Sequence, residues 1–382
     1  MYKNSMDMTQ WGGPEKVNAL LADIRARRGE FEEQRFISND VVEQFKDIGI
    51  YRSFVPEEFG GSGKTPSEFL KAIETISAAD GSAGWVASFG MNPAYLAALP
   101  MDTLKEVWKE SADIVFAGGI FPPQKAKKVT GGYIVNGRWQ FASGCMGASL
   151  LGVGVMPDDG SKLPKMAVMP ADKVKIEKTW NVHGMVGTGS FDLIVEDVFV
   201  PEEWTFVRGG TPTVDTPFFK YPSLSFAAQV LSVTALGIAR DAIDVVVTSA
   251  KGRKSVTGAP NLGERHYAQI DIAKAEAKVR SSRAFFYEAT DEVWDAIMQG
   301  DEPTKDQISL IRLATTNVAR ECAEATRIAY QLSGMQGAYV DHPLSRCLRD
   351  AHLVTQHAFM GEVTYQNAGA IMFGHPPFPG YL

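Results

Sequence analysis

The chain has 382 residues, of which 45% are hydrophobic and 22% charged, as in an ordinary globular protein with room for two or three packed units. A net charge of −7 argues against a general nucleic-acid binder, and no apolar stretch reaches the roughly 18 residues that a membrane-spanning helix needs. The three cysteines are far apart without a C-x-x-C pair and no signal peptide is visible, so we expect a cytoplasmic protein without disulfides or a zinc site.

Residues 1–112 are predicted to form a helical domain. Apolar residues recur at helical spacing in 17–24 and in 41–48, and a further helix is expected to begin at Pro66. The segment 83–99 is nearly uncharged, which predicts one helix that is buried on all sides.

Residues 113–210 are predicted to form a small antiparallel β-barrel or sandwich. Short β-rich runs separated by glycine and proline replace the helical pattern here, and Gly131-Gly132 and Asn136-Gly137 are turn signals. In 191–196, apolar residues alternate with others, as expected for a strand with one buried face.

Residues 211–382 are predicted to form a four-helix bundle, which makes the whole chain α+β but mostly α. Helices are expected over about 223–250, 265–298 and 346–372. The remaining helix carries apolar or small residues in steps of three and four, which is typical of a bundle seam and of a subunit interface. The seam residues are Ile308, Ile311, Thr315, Val318, Cys322, Ala325, Ala329 and Leu332.

Four glycine-containing stretches follow one another along the chain. They are V-P-E-E-F-G-G from Val55, G-G-Y-I-V-N-G-R-W-Q-F-A-S-G from Gly131, H-G-M-V-G-T-G-S from His183, and Q-L-S-G-M-Q-G-A-Y from Gln331, with R-C-L-R-D from Arg346. Together with the helical, β and helical blocks, they resemble the acyl-CoA dehydrogenase fold over nearly the whole chain. The branch of the family that the sequence resembles is that of the two-component flavin-dependent monooxygenases, which includes hydroxylases of 4-hydroxyphenylacetate and of a seco-steroid phenol.

The resemblance implies that the second and third stretches bind a flavin. Trp139 would lie against the isoalloxazine ring, although a tryptophan of a β core is an equally good interpretation. Ser143, next to Gly144 in the flavin loop, would hydrogen-bond flavin N5 or O4, or would cap its own turn. Thr188 would also contact the flavin or form part of the glycine-rich turn, and we assign Ser190 to that turn.

Other residues take their expected roles from the resemblance. Arg253 would bind the flavin phosphate, or is a surface arginine of a basic run. Gly334 and Gly337 would let the backbone approach the cofactor of a neighbouring subunit, or simply end a helix. Three aromatic residues of the uncharged segment would line the substrate cavity, or belong to the core. They are Trp85, Phe89 and Tyr95.

The predicted last helix carries the position that separates dehydrogenases from monooxygenases. Ala358 stands where common acyl-CoA dehydrogenases have their catalytic glutamate, and Glu362, one turn on, would point elsewhere. His357 stands where the monooxygenase branch has a histidine. Its imidazole would take a proton from a phenol or an indole N–H, or hydrogen-bond a flavin C4a-hydroperoxide. We therefore predict that His357 and Ser143 are catalytic, and that His352 is a surface or packing residue.

The resemblance implies a homotetrameric oxygenase that uses reduced FMN or reduced FAD and O2 to hydroxylate a small aromatic substrate of phenol or indole type. Because no G-x-G-x-x-G fingerprint follows a strand, we expect a separate NAD(P)H:flavin reductase to supply the reduced flavin. Three alternatives remain: an acyl-CoA dehydrogenase with a displaced base, an N- or S-oxygenase of the same branch, and a non-catalytic flavin- or ligand-binding scaffold.

Overall fold

The computed structural model describes residues 6–160, 163–207, 209–251 and 260–382. Within these residues, seven helices precede seven strands, and six more helices follow. This order confirms the predicted α+β class with mostly helical content. The domain boundaries near residues 112 and 210 stay a prediction.

The helices that precede the sheet contain one break that the sequence pattern did not predict. They are α1 (Pro14–Ala26), α2 (Arg28–Gln34), α3 (Asn39–Asp47), α4 (Pro66–Ser77), α5 (Gly81–Ala87), α6 (Pro93–Leu96) and α7 (Met101–Trp108). The uncharged segment is not one helix, because a 3-10 turn at Ser88–Met91 separates α5 from α6. Proline lacks an N–H, so Pro93 fits the first turn of a new helix better than the interior of a continuous one. The predicted burial is confirmed for α5, which is buried along its whole length.

Seven strands form one mixed sheet. They are β1 (Phe116–Val129), β2 (Gly132–Ala142), β3 (Leu150–Pro157), β4 (Lys165–Pro170), β5 (Lys175–Glu177), β6 (Phe191–Pro201) and β7 (Thr205–Val207), in the order β5-β6-β2-β1-β3-β4-β7. Neighbouring strands are antiparallel except β1 and β3, which are parallel. The sheet departs from the expected antiparallel arrangement at this pair, because the chain leaves β2 and crosses to the other side of β1.

The same crossover positions the candidate site. Leu150 at the start of β3 pairs with Phe116 at the start of β1, so the link between β2 and β3 lies at that end of the sheet. Ala142 at the end of β2 pairs with Phe191 at the start of β6. The segment that follows β2 and the segment that precedes β6 are therefore side by side.

The helices after the sheet form the predicted bundle, but the last one is interrupted. They are α8 (Pro217–Lys220), α9 (Ser223–Ser249), α10 (His266–Met298), α11 (Lys305–Gln331), α12 (Pro343–Val354) and α13 (Glu362–Met372). Instead of one helix over 346–372, a 3-10 turn at Ala358–Met360 separates α12 from α13. The predicted seam of α11 is buried through its centre, at Ile311, Thr315, Val318, Cys322, Ala325 and Ala329. Among the described helices, none combines the length and the apolar character needed to cross a membrane.

Candidate active site

Three hydroxyl groups form a hydrogen-bonded chain at the sheet end where β2 and β6 meet. The Oγ atoms of Ser143 and Ser190 are 2.6 Å apart, and Ser190 Oγ is 2.8 Å from Oγ1 of Thr188. Thr188 Oγ1 in turn donates to the carbonyl oxygen of Met185 at 2.9 Å. We call Ser143, Ser190 and Thr188 the hydroxyl chain; all three are buried. The sequence pointed to Ser143 and Thr188, but it missed that Ser190 is the link between them.

The hydroxyl chain has a fixed donor direction. Each hydroxyl carries one hydrogen, and the carbonyl oxygen of Met185 can only accept. Thr188 therefore donates to Met185 and accepts from Ser190, so that Ser190 has no hydrogen left for Ser143. Ser143 must donate to Ser190. The lone pairs of Ser143 then remain available to accept a hydrogen bond from a ligand.

Gly144 joins the hydroxyl chain to the helical part that precedes the sheet. Its N–H donates to the carbonyl oxygen of Thr188 at 2.9 Å, and its φ of 74° lies in the region that favours glycine. A Cβ on Gly144 would lie 3.4 Å from the ring of Phe89 and 3.7 Å from Val86 at the end of α5. The predicted flavin loop thus lies directly against the segment that was predicted to line the substrate cavity.

The segment 184–190, which carries two members of the hydroxyl chain, is anchored to α12. Met185 N donates to Oδ1 of Asp350 at 2.5 Å. A Cβ on Gly184 would lie 2.3 Å from the carbonyl oxygen of Arg349, so the backbone approaches α12 as closely as only glycine allows. Burial raises the pKa of Asp350 to about 7, and the negative charge of Asp80 acts in the same direction.

Trp139 does not face a ligand surface, which corrects the prediction that it lies against a flavin ring. Its side chain is fully buried in the core of the sheet, where Nε1 donates to the carbonyl oxygen of Gly154 at 2.8 Å. A bulge between Trp139 and Ala142 shifts the strand alternation, and Phe141 adopts a φ of 65°. Phe141 is consequently 64% exposed and meets the ring of Trp180 edge-on at 6.2 Å. The sequence signal that would have found it is an aromatic residue two positions before Ser143.

His357 lies in the break between α12 and α13, beside α5. Its ring is 5.9 Å from that of Trp85 on α5, edge-on, and 4.9 Å from that of Phe359. Gly144 lies against Val86, the next residue of the same helix, so α5 contacts both the imidazole and the flavin loop. Trp85, which was predicted to line the substrate cavity, thus contacts the imidazole of His357.

The hydrogen bonding of His357 sets its donor position. Its Nδ1 accepts the N–H of Phe359 at 3.3 Å, so a neutral imidazole carries its proton on Nε2. Nε2–H is then a hydrogen-bond donor. Of the two predicted roles of His357, this favours a hydrogen bond to an oxygen atom over removal of a proton from the substrate. Glu362 is not a displaced catalytic base at this place, since its exposed carboxylate lies 3.8 Å from Arg320.

Phe89 and Tyr95 share a small apolar cavity between the helices and the sheet. Its volume is about 80 Å³, and its other lining residues are Phe116, Ala117, Gly118, Ile120, Met166 and Phe206. This places two of the three predicted cavity residues together, while Trp85 lies beside His357 instead. A volume of this size holds only a few water molecules, so a ring-sized ligand needs the neighbouring side chains to move.

Among the described residues, Gly334 and Gly337 contact other elements than the hydroxyl chain. Arg253 lies outside the described residues. Gly334 and Gly337 lie in a 3-10 turn that follows α11 and contacts α11 and α12. Gly334 has a φ of 58° with open space around it, while Gly337 packs against Ser333 and Tyr330. Gly334 begins this turn two residues after the helix cap at Leu332, and the predicted approach of both glycines to a neighbouring subunit's cofactor stays a prediction.

A flavin fits the described residues. The hydroxyl chain offers an acceptor, and Phe141 provides an exposed apolar ring two residues from Ser143. This combination of a flat apolar partner with a directed polar group suits a ring system that is apolar on its faces and polar at its edge.

Comparisons with known proteins agree with the fold. Residues 15–111 match the acyl-CoA dehydrogenase N-terminal domain, and residues 229–362 match the acyl-CoA dehydrogenase C-terminal domain. The chain is 58% identical to indole-3-acetate monooxygenase of Pseudomonas putida, over 95% of both chains. It is 50% identical to the indole-3-acetate monooxygenase of Acinetobacter baumannii, over 96% of this chain and 95% of that one. The solved 3-HSA hydroxylase of Rhodococcus sp. RHA1 superposes with a TM-score of 0.89 at 27% identity, covering 96% of this chain and 98% of that chain.

The three-part fold and the directed hydroxyl chain define a flavin-dependent monooxygenase built on the acyl-CoA dehydrogenase fold. The chain belongs to this family. It is the oxygenase component of a two-component system, which takes reduced flavin from a separate reductase and acts on an aromatic substrate.

Proposed function

We propose that this enzyme hydroxylates indole-3-acetate. The observation that carries the proposal is the imidazole of His357, which is held beside Trp85 with its Nε2–H as the donor. Phe89 and Tyr95 line an apolar cavity of about 80 Å³, which would have to widen to admit an aromatic ring. Two relatives named for indole-3-acetate, at 58% and 50% identity over almost the whole chain, support this substrate over a phenol.

The reduced flavin would be held by Phe141 along its face and by Ser143 and Gly144 at its edge. When bound, it supplies the electrons with which O2 is activated. Ser143 presents lone pairs and no free hydrogen, so it accepts from an N–H group of the reduced ring. Oxidised flavin has lost that N–H and would be held less well. Because these residues address the ring that FMN and FAD share, we propose that either reduced flavin is used.

His357 would act on oxygen rather than as a base. In the neutral state its Nε2–H donates a hydrogen bond toward the reacting oxygen, since Nδ1 is occupied by the N–H of Phe359. The ring of Trp85 covers one side of the imidazole and helps to exclude water from it. In this role, loss of His357 separates flavin oxidation from product formation.

A homotetramer remains our proposal for the assembly. Large apolar side chains are exposed around the turn after α11 and at the end of α13, where a second subunit would cover them. They are Met335, Tyr339, Val340, Met372 and Phe373. In such an assembly Gly334 and Gly337 would approach the cofactor of a neighbouring subunit. The three cysteines are buried thiols, which is consistent with the proposed cytoplasmic location.

The direct test combines the purified protein with a flavin reductase, NADH, FMN or FAD, and ¹⁸O₂. We expect indole-3-acetate to gain one labelled oxygen atom, as measured by mass spectrometry, and phenol to react more slowly. Labelled product from phenol but not from indole-3-acetate would contradict the proposed substrate. Dye reduction with an acyl-CoA, in the absence of oxygen, would instead indicate a dehydrogenase.

A further inference from the structure

Arg312 on α11 is a buried guanidinium without an acidic partner. Arg312 is only 6% exposed, and its Nε and Nη1 atoms have no hydrogen-bond partner among the described residues. The guanidinium lies between two aromatic rings, with Cζ 5.2 Å from the centre of Phe359 and 5.5 Å from that of Tyr381. Burial lowers the pKa of Arg312, which shows that the protein alone does not compensate its charge.

Two partly buried arginines of the described chain, in contrast, are paired with carboxylates. Arg283 donates from Nε to both carboxylate oxygens of Glu74, at 2.8 and 3.1 Å, and Arg28 lies 2.9 Å from Asp241. A buried charge is stable only when it is paired and hydrogen-bonded, and aromatic rings replace part of that pairing. Arg312 is therefore suited to bind an anion that comes from outside the described part of the chain.

The position of Arg312 connects it to the candidate active site. Phe359 contacts both the imidazole of His357, at 4.9 Å, and the guanidinium, at 5.2 Å between Cζ and the ring centre. These two distances add to an upper limit of 10.1 Å between the imidazole centre and Cζ of Arg312. Any distance within this limit is short enough for an aromatic acid with a short side chain to span. The ring of Tyr381, which belongs to the segment after α13, covers the other side of the guanidinium.

We propose that Arg312 binds a carboxylate, and that this carboxylate is the acetate group of the substrate. The planar guanidinium offers two parallel N–H donors, which match the two oxygens of a carboxylate. Because Arg312 lies within 10.1 Å of the imidazole, the substrate ring would lie near His357 while the carboxylate binds Arg312 on α11. This inference rests on the proposed function, because it assumes a substrate that carries a carboxylate. A carboxylate of a second copy of this chain is the other source of the same chemistry.

The experiment compares indole-3-acetate with 3-methylindole, which lacks the carboxylate, in the wild type and in Arg312→Met and Arg312→Lys. The matched control is Arg327→Gln, which removes a more exposed arginine of the same helix that pairs with Glu324. We expect Arg312→Met to raise KM for indole-3-acetate by about tenfold or more and to leave KM for 3-methylindole unchanged. Arg312→Lys keeps the positive charge but lacks the two parallel N–H donors of the guanidinium, and should give an intermediate KM for indole-3-acetate. Light scattering on each variant reports the assembly.

Equal KM values for indole-3-acetate in the wild type and in both Arg312 variants would overturn the inference. If the assembly then dissociates in Arg312→Met, the carboxylate comes from a second copy; if it stays intact, Arg312 binds no carboxylate. The proposed function fails separately, when the wild type oxygenates 3-methylindole but not indole-3-acetate. Circular dichroism of Arg312→Lys shows whether a variant has folded, so that a loss of activity is not mistaken for a loss of binding.

Discussion

The hydroxyl oxygens of Ser143 and Ser190 are 2.6 Å apart although 47 positions separate the two residues in the chain. Their contact follows from the pairing of Ala142 with Phe191, which brings the end of β2 to the start of β6. With Thr188 bound to the carbonyl of Met185, the contact orients the Ser143 hydrogen away from the ligand. The hydroxyl chain thereby provides a hydrogen-bond acceptor for a ligand from uncharged side chains.

Replacing Ser190 tests the direction of hydrogen-bond donation along the hydroxyl chain. Ser190→Ala removes the acceptor for the Ser143 hydroxyl, which then rotates and can donate as well as accept. We expect the ratio of the Kd values for oxidised and reduced flavin to fall by about three- to tenfold, since one neutral hydrogen bond is worth about 1 kcal/mol. Thr188→Ser keeps every hydroxyl and should keep the ratio. An unchanged ratio in Ser190→Ala, measured by anaerobic titration of both redox forms, would count against a directed chain.

Trp139 and Phe141 of β2 should respond in opposite ways to substitution. Phe141→Ala removes an exposed ring, so it should weaken flavin binding by about three- to tenfold and leave the unfolding midpoint unchanged. Trp139→Phe leaves the carbonyl of Gly154 without its donor inside the core, and should reduce the free energy of unfolding by about 1–3 kcal/mol. Flavin titration and urea unfolding of both variants measure the two effects. Weaker flavin binding in Trp139→Phe alone would restore the original assignment of Trp139.

The sequence predicted the order of the fold but not the details that build the site. Helical and strand periods identified the three parts, because they reflect burial along continuous elements. Trp139 follows the inward alternation of the strand, but the bulge after it shifts the alternation by one residue and exposes Phe141, and no residue type in the sequence indicates this bulge. The break around His357 was missed because the residues from Thr355 to Met360 contain neither glycine nor proline, and Gly361 just before α13 was not taken as a helix boundary. The role of Ser190 depends on a contact between strands, which a local pattern does not record.

His357 should control how much of the oxidised flavin leads to product. His357→Ala removes the Nε2–H donor, so we expect product yield to fall about tenfold or more while hydrogen peroxide release rises to match. His357→Gln keeps an amide N–H and should recover part of the yield. His352→Gln, at an exposed position of α12, is the control and should behave as the wild type. Peroxide and product are measured per flavin oxidised; equal yields in all four proteins would rule out this role.

Gly184 should be sensitive to a single methyl group. In Gly184→Ala the new Cβ would lie 2.3 Å from the carbonyl oxygen of Arg349, so the backbone must move and the bond from Met185 to Asp350 is strained. We expect a loss of about 1–3 kcal/mol in the free energy of unfolding, together with weaker flavin binding. Gly369→Ala, with nothing within 4 Å, is the control and should be stabilising by about 0.5–1 kcal/mol. Similar urea midpoints for the two variants would refute the close approach.

Asp350 should give the protein a measurable dependence of stability on pH. Burial raises its pKa from the ordinary 3.8 to about 7, so the folded protein holds this proton more tightly than the unfolded chain does. Its contribution to stability is therefore fully present below pH 3.8 and declines as the pH rises to about 7, by at most about 1.4 kcal/mol per pH unit. Asp350→Asn keeps an acceptor for Met185 N–H and cannot ionise, so its free energy of unfolding should decline less between pH 4 and 7. Urea unfolding across that range measures the slope, with the exposed Glu362→Gln as the control for removal of a carboxylate. Identical slopes in the wild type and Asp350→Asn would mean that Asp350 stays ionised in the folded protein, held by Arg346 on the same helix.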